Sequence, residues 1–158
     1  MLEGAEMVEM SSSLFTVGVF QDAGSAEKGL QALLAQEFST EILSLIAKHS
    51  LEVEELCKSA IGIAASTMEI HGLGSTCVHG PIVEALQGSD RLLTRCGIGV
   101  SAKRIGFQLH DGQIFETLTA RGGVLVAVAT DARASDALTV LLSYGGGNAA
   151  ISAWLGRV

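Results

Sequence analysis

His71, Cys77 and His79 are the residues whose types and spacing most invite chemistry. The pattern His-x5-Cys-x-His offers two imidazoles and a thiolate, the ligand types that zinc and related transition metals favour, and Glu69 adds an oxygen ligand nearby. The glycines between them, Gly72 and Gly74, would let a loop wrap an ion. The spacing matches no standard zinc motif. The competing reading makes Cys77 a small buried residue and both histidines surface or capping groups. A nucleophile needs a base within reach, and Cys77 with His79 or His71 is the local pair; the sequence does not place His49 or His110.

Other chemistries leave less trace. The chain has no Gly-x-Ser-x-Gly nucleophile elbow. Gly72-Leu73-Gly74 lacks the third glycine of a dinucleotide fingerprint, and no Gly-Lys-Ser/Thr is present for a phosphate loop. Gly145-Gly146-Gly147 follows a predicted helix, whereas anions bind at helix N-termini. Asp22 and Asp131 occupy matching turns, either as a paired carboxylate site or, the preferred reading, as caps of the helices that follow. The expectation is a protein without catalytic residues or a cofactor, not an enzyme, with a metal site at His71, Cys77 and His79 as the alternative.

The elements that must position these residues come in two similar sets. Leu14 to Phe20 reads as a strand of alternating, β-rich composition. A turn over 21–25 follows, with Ser25 as a candidate cap, and Ala26, Leu30, Leu33 and Leu34 form one helical stripe ending near Gln36. Glu41 to Ala47 predicts a second strand with Ile42, Ser44 and Ile46 on one face. The set recurs near the C-terminus. Gly123 to Ala129 is an uninterrupted apolar strand, and Ala134, Leu138, Leu141 and Leu142 repeat the earlier stripe residue for residue. Gly145-Gly146-Gly147 stops that helix and 149–155 closes the set. The chain therefore predicts an α+β, ferredoxin-like domain, with duplicated β-α-β halves over 14–47 and 123–158 forming an antiparallel sheet.

Between the halves, 48–122 predicts an inserted helical, glycine-rich segment. Ser50 caps a helix with Val53, Leu56, Cys57, Ala60 and Ala64 along one side. Pro81 suits the first turn of a helix through Leu86. A shorter helix begins at Gly88-Ser89 and closes at Gly97, and 101–109 and 113–121 also read as helical, with Asp111 as a candidate cap.

Composition bounds the partners. With 158 residues, 48% hydrophobic and 17% charged, the chain suits one domain, 14–158, behind an acidic flexible tail, 1–13, that carries Glu3, Glu6 and Glu9. A net charge of −7 and 4% aromatics argue against nucleic acid. The longest apolar window, 60–86, is interrupted by Glu69, His71, His79, Pro81 and Glu84, so no transmembrane span is expected. The three cysteines, Cys57, Cys77 and Cys96, without a signal peptide, fit reduced thiols and a cytoplasmic location.

Three features together resemble the bacterial general stress protein 17M-like (heat-induced stress protein) family. They are the β-α-β at Phe15 to Ser39, the glycine-rich middle running through Gly72-Leu73-Gly74 to His79-Gly80-Pro81, and the run Arg121 to Asp131 (RGGVLVAVATD). The resemblance covers nearly all of the chain after residue 13. It implies a context of stress adaptation and no defined activity.

A four-stranded sheet with both helices on one side leaves an apolar face that inserted helices or a second subunit must cover. The expected function is accordingly that of a non-enzymatic structural or protein-interaction protein, self-assembling as a homo-oligomer, with a further protein partner admitted. The alternative is a small-molecule or metal-sensing module using the loop 71–80 or the cleft between the halves.

Overall fold

The structure is a computed structural model that describes residues 14–152. The acidic tail, 1–13, and the end of the expected closing strand, 153–155, lie outside the described residues. The chain is α+β. Strands β1 (Phe15–Phe20), β2 (Leu43–Lys48), β3 (Ser66–Ile70), β4 (Gly74–His79), β5 (Val124–Ala129) and β6 (Gly147–Ile151) form one open sheet in the order β3-β4-β2-β5-β1-β6. Every neighbouring pair is antiparallel. Seven α-helices accompany them among the described residues: α1 (Ala23–Ala35), α2 (Leu51–Leu56), α3 (Pro81–Gln87), α4 (Leu92–Cys96), α5 (Ile98–Arg104), α6 (Leu109–Ala120) and α7 (Ala134–Ser143).

Side-chain alternation divides the core into two layers. Phe20, Leu45, Cys77, Val126 and Val128 face one side, where α1, α2 and α7 bring Leu30, Leu33, Val53, Leu56 and Leu141. Val17, Val19, Ile46, Val78 and Leu125 face the other, where α3 to α6 bring Ile82, Leu86, Leu93, Ile98 and Phe115. The apolar run of β5 follows directly, because its residues are buried whichever way they point. The face left open by the first set of helices is thus covered by the chain's own inserted segment.

That segment is not wholly helical, which corrects the sequence expectation. Ser66–Ile70 and Gly74–His79 pair as a hairpin and extend the sheet from four strands to six. Gly72 and Gly74 take φ of +89° and +78°, so the glycines expected to let a loop wrap an ion form the turn between two strands. The helix begun at Ser50 passes at Cys57–Ile61 into a π-helical turn and stops at Gly62, so Ala64 lies exposed beyond it.

Smaller shifts have local causes. The cap of α1 is Asp22, which accepts the Ser25 N–H at 2.8 Å, and not Ser25 itself. A 3-10 turn at Thr40–Ile42 delays β2, and Ile42 packs on the layer opposite Ile46. Helix α4 starts at Leu92, after Arg91 in the left-handed region, and not at Gly88-Ser89. Helices α5 and α6 begin earlier than 101 and 113. Asp111 falls inside the first turn of α6, and Gly112 lies where a Cβ would stand 2.8 Å from Gly99 O. In α7 the buried stripe is Ala134, Ala137, Val140 and Leu141, leaving Leu142 55% exposed. β6 starts at Gly147, two residues before the predicted strand.

Candidate functional site

The hairpin decides the fate of the predicted metal ligands. His71 lies exposed on its turn, and β4 then runs from Gly74 to His79, so the two histidines stand at opposite ends of a strand roughly 17–20 Å long. Cys77 points into the core between them, fully buried. The structure does not bring the three together, and no group of three metal-type side chains gathers among the described residues. Cys77 pairs across the sheet with Ala47 and Thr67, and burial pushes its thiol above the ordinary range, against a lowering contribution from the Ser50 N–H. Cys57 is raised in the same way, first by burial and then by the neighbouring Cys77. A thiol held protonated in an apolar layer is a poor nucleophile.

Of the remaining candidates, Asp22 and His49 line one hollow, and His110 and Asp131 stand apart from it. His49 Nε2 lies 2.6 Å from Glu54 Oε2 on the surface of α2. His110 stands on the exposed side of α6. Asp22 caps α1, and its carboxyl is held below the usual carboxylate range, chiefly by the Ser25 N–H. Asp131 is no counterpart cap: it accepts the Leu14 N–H and ties down the start of β1, while α7 has no side-chain cap.

A different constellation forms where β1 and β2 end and β5 and β6 begin. Helix α6 closes there through Arg121, whose backbone N–H bonds to Thr117 O and Leu118 O. Gly122 turns the chain at φ +103°, and Gly123 passes so close to β1 that a Cβ would lie 2.9 Å from Phe20 O. This tight exit from the helix leaves the Arg121 side chain at the exposed end of the sheet. Lys48 Nζ donates to Ala120 O at 3.3 Å, so one of the two cations serves the negative end of the α6 dipole. Among the described residues no carboxylate pairs with Arg121.

Three hollows meet at Arg121. The first, about 400 Å3, runs along α6, with Ile114 and Leu118 as apolar floor and Gln113, Thr117 and Asn148 among its polar walls. The second, about 350 Å3, lies between Asp22, Lys48 and His49 on one side and Gly122 and Val124 on the other. The third, also about 350 Å3, is bounded by Val19, Phe20 and Gln21 and by Gly145, Gly147 and Asn148. The backbone N–H groups of Gly122, Gly123 and Gly145, which line these hollows, are spent on helix carbonyls.

From sequence, Gln21 belongs to a predicted turn and Gln113, Thr117 and Arg121 to a predicted helix, and none of them, nor Asn148, carries a binding role there. The available signal was periodic: residues 110, 113, 114, 117, 118 and 121 repeat at helical spacing beside the buried stripe of α6. No protein family, no curated protein and no solved structure matches this chain.

Proposed function

We propose that this protein is a non-catalytic binding module for a small organic anion held at Arg121. The observation that carries the reading is the convergence of all three hollows on one cation with no described carboxylate partner. A guanidinium grips a carboxylate or phosphate with two parallel hydrogen bonds. Ile114 and Leu118 offer the ligand's apolar body a floor, and Gln113 and Asn148 offer amides for its polar groups. A volume of about 400 Å3 lies within the usual range of small-molecule sites. Reading the site as binding and not catalysis rests on the lack of a thiol in its walls and on the commitment of Asp22 to a cap.

The test combines native mass spectrometry of the freshly purified protein with a thermal-shift panel of small carboxylates and phosphates. A bound anion at about 100 times its Kd stabilises by about 2.7 kcal/mol, and Arg121→Ala should abolish both the extra mass and the shift. An equal response from Arg121→Ala, or a bare mass with no shift from any member of the panel, refutes the site.

We also infer that β1, α1 and β2 are related by duplication to β5, α7 and β6 as the halves of a ferredoxin-like core. Support comes from the order β2-β5-β1-β6 within the sheet and from α1 and α7 packing on the same face. A second functional reading, a self-assembling interaction protein, is favoured by the position of β3 at the end of the sheet, with one strand neighbour among the described residues. The link to stress adaptation rests on the sequence resemblance alone. No helix among the described residues is long and apolar enough to cross a membrane.

A further inference from the structure

We infer that the ligand held at Arg121 is an α-amino acid, its carboxylate on the guanidinium, its ammonium toward Asp22 and Glu52, and an aliphatic side chain laid along α6. This rests on the reading of Arg121 as the anion-binding residue and narrows the ligand that it takes. The three hollows that meet there differ in charge. The hollow that reaches Lys48 and His49 also carries two carboxylates, Asp22 and Glu52. The other two carry none. Asp22 takes the Ser25 N–H on Oδ1, and a carboxylate offers about four acceptor positions, so room remains on it for an ammonium. Glu52 forms no ion pair among the described residues, and Lys48 is turned to Ala120 O and pairs with neither carboxylate.

That charge pattern selects among carboxylate ligands. A simple fatty carboxylate would set an uncharged alkyl group against the two anions, and a dicarboxylate would set a like charge against them. An ammonium one carbon from the carboxylate gives Asp22 and Glu52 a donor while Arg121 keeps its own partner. The apolar arm lies the other way. Leu118 and Ile114, both half-buried, stand about 4.5 and 10.5 Å back from Arg121 along the axis of α6, so a straight chain of four carbons runs over Leu118 toward Ile114. Carboxylate, ammonium and side chain thus leave one carbon in three fixed directions, and the site tells one hand of that carbon from the other.

Calorimetric titration with L-norleucine, D-norleucine and hexanoate, which is norleucine without its ammonium group, tests this, with circular dichroism confirming the fold of each variant. One enantiomer of norleucine should bind roughly fivefold or more tighter than hexanoate and tighter than its mirror image. Asp22→Asn and Glu52→Gln should each shrink the preference for norleucine over hexanoate, and Arg121→Ala should abolish binding of both. Hexanoate binding as tightly as norleucine through Arg121, or equal binding of the two enantiomers, overturns the amino-acid inference and leaves the anion site standing. A norleucine preference that survives both carboxylate substitutions overturns the placing of the ammonium. No binding of these ligands or of any small carboxylate or phosphate overturns the anion site and this inference together.

Discussion

Asp22 holds the first turn of α1 with one carboxylate oxygen, and that single bond has a consequence in solution. Its carboxyl ionises more readily in the folded chain than in the unfolded one, because the ionised form is the better acceptor for the Ser25 N–H. The folded value lies below the unfolded value, so the contribution is complete above about pH 4 and is lost as pH falls through the folded value. Asp90, held down by the Arg104 guanidinium, adds a contribution of the same sign. Asp22→Asn keeps a good cap but removes the titration. Urea midpoints measured from pH 5 to pH 2 should therefore fall less steeply in Asp22→Asn than in the wild type. Equal slopes would mean that the cap does not couple to the proton. Asp131 shows why residue type alone misleads at this scale: the same carboxylate in the matching turn serves the β1 backbone and not its own helix.

Elements in this chain are fastened to one another by groups that serve a neighbour. Ser44, fully buried on β2, accepts the Ile82 N–H at 3.0 Å and so satisfies a donor in the first turn of α3, whose own cap position, Gly80, has no side chain to offer. Ser44→Ala strands that buried donor and should cost about 1–3 kcal/mol in chemical denaturation. Gly80→Ala should cost more, since its φ is +103° and a Cβ would stand 2.4 Å from Leu43 O. If Gly80→Ala proves the milder change, the backbone must yield there. What could be read from sequence follows the same line between local and distant causes. β1, β5, the end of α1 and the Pro81 start of α3 were legible because their signals lie within their own residues. The β3–β4 hairpin was not: its strands are short, three of five β3 residues are exposed, and its glycines resemble a break until strands flank them. Arg121 escaped for the same reason, because only the fold brings the ends of β1 and β2 to the exit of α6.

At the scale of the whole molecule, the sheet is shared property. Neighbouring residues of β5 alternate between the two layers, Val126 toward α1 and α7, Leu125 toward α3 to α6, and β1 and β2 divide in the same way. Loosening one helical layer therefore exposes strands that the other layer still needs, and the two should melt together. Leu33 and Leu141 are fully buried in the first layer and occupy matching places in α1 and α7; Phe115 is buried in the second. Truncating either leucine to alanine should cost about 2–5 kcal/mol, and Phe115→Ala about 3–5 kcal/mol. All three should shift one calorimetric transition whose van't Hoff and calorimetric enthalpies agree. A cost near zero at Leu33 or Leu141 would count against the proposed duplication of the two halves. Two resolved transitions, with Phe115→Ala moving only one of them, would mean that the inserted helices fold as a cover laid on a finished sheet. A single transition would make the insertion part of the core, because the strands beneath it have no other way to keep both faces dry.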